Sequence, residues 1–118
     1  MTVRRIVANL EAADPQAGRA FYGELLGLEL VMDLGWIVTF ASGKQAPAQL
    51  SIASQGGSGT PAPRLSIEVD DVDETYAKAK AMKLAIVYDI TDEPWGVRRF
   101  YVRDPFGTIV NILSHSKS

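Results

Sequence analysis

Apolar and polar positions alternate along several short segments of the chain, a pattern typical of half-buried β-strands. In the segment 3–10, every second residue is apolar and the residues between are mostly polar. Further segments rich in β-branched and aromatic residues follow at short intervals. The predicted strands are 3–10, 28–33, 36–41, 48–53, 64–69, 84–90, 97–103 and 108–113. A loop, Ser42 to Pro47, separates the third from the fourth.

Two segments instead carry apolar residues at helical spacing. Asp14 and Pro15 have the form of an N-cap and a first helical position, and Gly27 is expected to end that helix after about three turns. A second helix is predicted over 70–83, capped by Asp70 or Asp71. Each predicted helix follows one strand and precedes three others, so the order β-α-β-β-β occurs twice.

The segment between the two halves, 54–63, reads SQGGSGTPAP and is rich in residues that form flexible linkers. It separates a first module, 1–53, from a second, 64–118. Sliding the sequence along itself by 56 residues places Asp14 on Asp70 and Leu28 on Leu84. We therefore predict one domain, 1–118, made of two duplicated modules.

Composition limits the possible partners and compartments. A chain of 118 residues is long enough for one core, and a net charge of −2 with scattered Lys and Arg argues against nucleic acid as the main partner. No apolar run approaches the length of a membrane span, and the N-terminus lacks the pattern of a signal peptide. We therefore expect a cytoplasmic protein with no membrane partner. The absence of cysteine excludes thiolate chemistry and disulfides.

Several motifs together resemble the vicinal oxygen chelate superfamily, the group of glyoxalase I, bleomycin-resistance proteins, fosfomycin-resistance enzymes and extradiol dioxygenases. The matching pieces are Phe21-Tyr22 followed by Leu25-Leu26-Gly27-Leu28, the entry to the second helix at Glu68-Val69-Asp70-Asp71, and Arg103-Asp104-Pro105-Phe106-Gly107 leading to Asn111. The resemblance covers nearly the whole chain. It implies an α+β fold of two tandem βαβββ modules, with curved mixed sheets around a cavity and a helix packed on the outer side of each.

The same resemblance assigns the strand residues to two faces. Those expected to pack on the helices are Ile6, Ala8, Leu10, Leu65, Ile67 and Val69. Those expected on the cavity side are Arg5, Val7, Asn9, Glu11, Arg64, Ser66 and Glu68 on the first strand of each module, Trp36, Val38 and Phe40 in module one, and Val97, Arg99, Tyr101, Ile109, Asn111, Leu113 and His115 in the last hairpin.

Metal-dependent members of the superfamily use four side chains, usually His and Glu. The corresponding positions in this chain hold Val7, Ser51, Arg64 and Asn111. Valine has no donor atom, a protonated arginine repels a cation, and serine with asparagine is a poor substitute for imidazole and carboxylate. We therefore expect the family's metal centre to be absent and predict no cofactor.

Without a metal, the resemblance to the bleomycin-resistance branch implies a homodimer that binds an aromatic or amphipathic small molecule, with antibiotic sequestration as one possible role. Flat aromatic rings would stack on such a ligand, and arginine would hold its carboxylate or phosphate. The predicted ligand-binding residues are Trp36, Phe40, Arg64, Glu68, Trp95, Arg99, Tyr101 and Asn111.

Two other functions stay open at this point. The protein could be an enzyme, either a metal-dependent lyase or dioxygenase aligned incorrectly here or a metal-free catalyst using Glu68, Tyr101 or His115 as acid and base. It could also serve as an assembly or regulatory partner. Each candidate residue also has a purely structural reading, such as a core or dimer position for Trp36.

Overall fold

The computed structural model describes residues 1–43 and 48–115. Its strands are β1 (Val3–Glu11), β2 (Glu29–Asp33), β3 (Ile37–Ala41), β4 (Gln49–Ala53), β5 (Leu65–Val69), β6 (Ile86–Asp92), β7 (Val97–Arg103) and β8 (Ile109–His115). The helical segments are a 3-10 helix (Pro15–Gly18), a π-helix (Arg19–Leu25) and α1 (Val72–Ala81). The element order therefore confirms the predicted α+β fold of two βαβββ modules. Residues 44–47 of the predicted loop lie outside the described residues.

Two compact units divide the described chain. The first unit comprises residues 7–62, and the second unit comprises residues 1–6 together with 63–115. The boundary falls within β1, so the beginning of this strand belongs with the second module. None of the helices in the described ranges is long and apolar enough to cross a membrane.

In the first unit, β4 pairs in parallel with β1 and antiparallel with β3, which pairs antiparallel with β2. The core of this unit is formed by Val38, Phe40 and Ile52, against which Tyr22 and Leu28 pack. These residues pack together because Val38 pairs with Ile52 across β3 and β4, so both side chains project from the same face.

The helical part of the first unit differs from the three-turn helix that the sequence predicts. Asp14 does cap it, since its side chain accepts a hydrogen bond from the backbone N–H of Gln16 at 3.1 Å. The following segment is first a 3-10 helix and then a π-helix. Gly18, at their junction, lies so close to the sheet that a Cβ atom would be 2.2 Å from Cδ1 of Ile52. Tight packing at a glycine therefore accompanies the irregular winding.

In the second unit, β5 pairs in parallel with β8, and β7 pairs antiparallel with both β8 and β6. Helix α1 begins after Asp71, whose side chain accepts a hydrogen bond from Glu74 N–H at 3.0 Å. The predicted core residues Leu65, Ile67 and Val69 pack with α1 and with Phe100. This unit follows the sequence pattern closely because its helix has an N-cap and because β5, β7 and β8 pair in regular register.

The segment predicted as a flexible linker forms hydrogen-bonded turns in the first unit. Ser54 N–H donates to Trp36 O at 2.9 Å, and Gly56 N–H donates to Thr60 O at 2.9 Å. Thr60 is buried, and its hydroxyl donates to Gly57 O at 2.7 Å. The glycines here permit left-handed backbone angles, as at Gly57 with φ of 82°.

Candidate ligand-binding site

The sheet of the second unit has two faces with different chemistry. The face toward α1 is apolar and carries Phe100 and Ile112, which pair across β7 and β8. Because side chains alternate along a strand, the neighbouring residues project from the opposite side, here called the helix-distal face. That face carries four of the residues predicted to contact a ligand, Glu68, Arg99, Tyr101 and Asn111, together with Ser66, which was predicted to lie on the cavity side.

A buried ion pair occupies one part of this face. The guanidinium of Arg99 contacts the carboxylate of Glu93 at 2.6 Å, and both side chains are only 3% exposed. The hydroxyl of Tyr88 donates to the same carboxylate at 3.1 Å, and Arg99 donates to the hydroxyl of Tyr101 at 3.0 Å. Charges are buried in proteins when they are paired and hydrogen-bonded in this way.

Three aromatic rings surround the guanidinium of Arg99. The carbon at its centre lies 5.3 Å from the ring of Tyr88, 4.9 Å from Trp95 and 5.0 Å from Tyr101, distances typical of cation–π contacts. Arg99 therefore already has an internal anion and internal aromatic faces. The predicted roles of Arg99, Trp95 and Tyr101 in ligand binding stay predictions, and the structure shows these side chains contacting one another.

A second polar network connects three strands of this unit. The carboxylate of Glu68 on β5 accepts hydrogen bonds from Nε of Arg5 at 2.9 Å and from Nη2 at 2.5 Å, both on its Oε1 atom. Its other oxygen, Oε2, lies 2.6 Å from Nδ1 of His115 at the end of β8. Glu68 is therefore shared between an arginine and the histidine of the chain.

The pKa of Glu68 reflects this environment. Partial burial raises the pKa of the carboxyl. The hydrogen bonds and charges of Arg5 and His115 lower the pKa by more than burial raises it, so that the pKa lies below its ordinary value. Glu68 is thus held as a carboxylate at neutral pH. As a carboxylate, Glu68 can accept hydrogen bonds and orient its neighbours, but it has no proton to donate.

Asn111 lies beside this network on β8, opposite Tyr101 on β7 and Ser66 on β5. Its Nδ2 donates to the hydroxyl of Ser66 at 3.1 Å. The side chain is 7% exposed, and its Oδ1 has no hydrogen-bond partner among the residues that the structure describes. A buried polar atom without a partner costs about 1–3 kcal/mol, and such exceptions in folded proteins need an explanation.

In the first unit, the prediction that Val38 and Phe40 lie on the cavity side is wrong. Phe40 is 1% exposed and its ring lies 6.0 Å from the ring of Tyr22 in the π-helix, so it belongs to the helix-facing core. The even-numbered residues of β3 face the helix, whereas the prediction placed them on the cavity side. Trp36, just before this strand, is half-buried, and its backbone oxygen accepts the hydrogen bond from Ser54.

The residues that alternate with Val38 and Phe40 along β3 lie on the helix-distal face of the first unit. There the hydroxyls of Thr39 and Ser51 lie 2.7 Å apart, and both side chains are buried. The two hydroxyls carry no charge, and each is the hydrogen-bond partner of the other. The remaining predicted contact, Arg64, is exposed immediately before β5 in the second unit, where its backbone N–H donates to Ile109 O.

The side chains at the four positions that the resemblance assigns to a metal do not fit a metal ion. The hydroxyl of Ser51 is engaged by Thr39, Arg64 carries a permanent positive charge, and Val7 has no donor atom. Only the unpaired oxygen of Asn111 is a suitable ligand atom, and one amide oxygen does not hold a transition metal. Within residues 1–43 and 48–115, no group of three or more His, Cys, Asp or Glu side chains is placed to bind one.

Two partners in these networks were not predicted. Glu93, six residues before Arg99, meets it across the turn that joins β6 to β7. Its position just before Trp95 and Gly96 could have predicted the contact with Arg99, because the two ends of a hairpin turn come close together. The contact of Arg5 with Glu68 could also have been found, since the sequence already placed both side chains on the same face.

A model of the Glyoxalase/Bleomycin resistance protein/Dioxygenase superfamily matches residues 6–112. The chain therefore belongs to this superfamily, a class of proteins built from paired βαβββ modules. No curated protein matches the chain in sequence.

Solved structures share the fold at low sequence identity. One is a protein described as an NAD-dependent benzaldehyde dehydrogenase from Legionella pneumophila, with 20% identity, a TM-score of 0.76, and coverage of 95% of this chain and 100% of that chain. A superfamily member from Vibrio splendidus 12B01 has 17% identity and a TM-score of 0.66, covering 96% and 99%. The methylmalonyl-CoA epimerase from Mycobacterium tuberculosis has 15% identity and a TM-score of 0.64, covering 98% and 88%. These identities support a common fold only.

Proposed function

We propose that this protein binds a small molecule without a metal ion, through the polar residues on the helix-distal face of the second unit. The observation that carries the proposal is the buried, unpartnered Oδ1 atom of Asn111 beside the hydroxyl of Ser66. A ligand N–H or O–H group that reached this oxygen would recover the hydrogen bond that the free protein lacks.

The same residues favour binding over metal-dependent catalysis. Asn111 stands at a position that would need a carboxylate or imidazole in a metal-dependent member, and Glu68 already has two internal partners. Trp36, Trp95 and Arg64 remain proposed contacts for an aromatic ligand that bears an acidic group. Antibiotic sequestration by a homodimer is the particular role that we propose for such binding, because bleomycin-resistance proteins belong to the same superfamily.

A thermal-shift screen with aromatic and peptide antibiotics and common metabolites, in the presence of a chelator, tests this proposal. A ligand that binds the folded state should raise Tm in a concentration-dependent way, and it should be recovered unchanged. Stabilisation seen only after a divalent metal is added would contradict the proposal.

The best compound should then be titrated by calorimetry into the wild type and into Asn111→Leu. We expect this variant to bind at least about tenfold more weakly, because one hydrogen bond of about 1.5 kcal/mol is lost. Its stability should change little, since the loss of the hydrogen bond to Ser66 is offset by removal of the unsatisfied oxygen and leucine has a similar volume. Glu24→Gln, an exposed position on the π-helix, serves as the control and should bind like the wild type.

A further inference from the structure

The contact between His115 and Glu68 has a geometry that ligand binding alone does not require. Nδ1 of His115 lies 2.6 Å from Oε2 of Glu68, and the other oxygen of Glu68 is held by Arg5. We propose that His115 is a general base that removes a proton from a small molecule at its Nε2 atom, with Glu68 as the positioning residue.

The hydrogen bond to Glu68 decides which ring nitrogen is available. A carboxylate only accepts hydrogen bonds, so the neutral imidazole must carry its hydrogen on Nδ1 and its lone pair on Nε2. The His115 side chain is 55% exposed, and within the described ranges its hydrogen-bond partner is Glu68 alone. The lone pair of Nε2 is therefore accessible to a molecule from solution.

Arg5 and Glu68 together prepare the imidazole for this role. The two hydrogen bonds from Arg5 keep the Glu68 side chain in place and favour its carboxylate form. When Nε2 accepts a proton, the imidazolium that forms lies directly beside this negative charge and is stabilised by it. The arrangement supplies a fixed tautomer, an exposed base and a counter-ion, which are the requirements of general base catalysis.

The substrate class that suits this base is a small molecule with a mildly acidic C–H or O–H bond. The proton moves to Nε2, and the electron pair of the broken bond stays on the substrate, where it forms an enolate or phenolate or expels a leaving group. The proton then passes to water or returns to the product. No metal, oxidant or reductant takes part in this step.

The composition of the chain makes a direct chemical test possible. The sequence contains one histidine and no cysteine, so any imidazole-dependent reaction reports on His115 alone. A suitable probe is 5-nitrobenzisoxazole, an aromatic compound whose ring C–H proton is removed by a base while its N–O bond breaks. The product is a coloured 2-cyano-4-nitrophenolate, and neither a nucleophile nor a metal is needed.

We expect the wild type to convert this probe at least about tenfold faster than free imidazole at the same concentration, since a positioned general base contributes about 10²–10⁴-fold. His115→Ala should reduce the rate to that of buffer. Glu68→Gln should lower it about tenfold, because a glutamine at this position neither fixes the Nδ1–H tautomer nor stabilises the imidazolium. Glu24→Gln is the matched control for a lost exposed carboxylate and should leave the rate unchanged.

A nitrogen-15 NMR spectrum of the histidine ring separates a positioning role of Glu68 from a general effect on folding. The wild type should show the Nδ1–H tautomer, and Glu68→Gln should show mainly the Nε2–H form that predominates in free histidine. Equal rates for wild type and His115→Ala, or a wild-type ring in the Nε2–H form, would overturn the proposal. Either failure is distinguishable from failure of ligand binding, which calorimetry measures separately through Asn111.

Discussion

The two units repeat the same order of strands and helix but differ in what their helix-distal faces carry. In the first unit, the hydroxyls of Thr39 and Ser51 satisfy each other, and no ionised group among its described residues, 7–43 and 48–62, is buried with them. In the second unit, the corresponding face holds the buried Glu93–Arg99 pair and the carboxylate of Glu68. The comparison teaches that the duplicated fold does not require charge on this face.

The edge strands of the two units differ as well. All five residues of β2 in the first unit are exposed, and three of them are apolar: Leu30, Val31 and Met32. The edge strand β6 of the second unit carries two aspartates and a threonine among its apolar residues and has two irregularities in its pairing with β7, whereas β2 has acidic residues only at its ends and one irregularity in its pairing with β3. Such features protect an edge strand from pairing with other chains. The exposed apolar strand of the first unit is thus the less protected edge.

The largest effect is expected when the buried ion pair of the second unit is broken. Arg99→Met would leave the carboxylate of Glu93 buried without its cation, and such losses cost about 3–5 kcal/mol. We expect the free energy of unfolding, measured by urea denaturation, to fall by that amount. The double variant Glu93→Leu with Arg99→Met should recover most of the loss, because it removes both charges together.

A surface ion pair of the first unit provides the control for this experiment. Arg19 contacts Asp33 at 2.9 Å, but its side chain is 48% exposed. Arg19→Met should therefore cost only a small part of the loss seen for Arg99→Met, since water and salt screen exposed pairs. Equal losses at Arg19 and Arg99 would contradict the difference that we draw between the two units.

A smaller effect is expected for the neutral pair of the first unit. Ser51→Ala would leave the buried hydroxyl of Thr39 without its partner, at a cost of about 1–3 kcal/mol. The double variant Ser51→Ala with Thr39→Val should be at least about as stable as Ser51→Ala alone, because no unsatisfied hydroxyl then remains. Strictly additive losses in urea denaturation of the two single variants and the double variant would show that this pair is not coupled.

The smallest effect concerns the pH dependence contributed by Glu68. Because the folded-state pKa of Glu68 lies below its ordinary value of 4.5, its contribution to stability is complete above about that pH. The contribution is lost as the pH falls through the folded-state pKa. The free energy of unfolding should therefore differ between wild type and Glu68→Gln at pH 6, and the difference should shrink as the pH falls below 4.5. A constant difference across this range would contradict the assignment.

Much of the fold could be predicted from particular residues. Asp14, Asp71 and the turn around Asp104 gave local signals that the structure confirms, since each side chain accepts a backbone hydrogen bond where a cap or turn was expected. The alternation of β5 likewise placed Leu65, Ile67 and Val69 correctly on the helix side. These features depend on neighbours in sequence, which is why they were predictable.

The errors arose where packing between distant residues decides the outcome. The face of β3 was assigned from resemblance, but Phe40 turns toward the helix because Tyr22 and Ile52 surround it there. The π-helix begins beside the close packing at Gly18, and the apolar spacing reveals neither feature. The partners of Glu68 lie on two other strands, and Glu93 meets Arg99 where the hairpin turn closes, so these contacts were not predicted even though the sequence carried a signal for each.

The central claim is that ligand binding uses the helix-distal face of the second unit and needs no metal. The most direct measurement is to map the best compound from the thermal-shift screen on nitrogen-15-labelled protein by NMR, in the presence of a chelator. We predict the largest shift changes at Ser66, Glu68 and Asn111. Changes confined to the first unit, around Thr39 and Ser51, or changes that appear only after metal is added, would contradict the account.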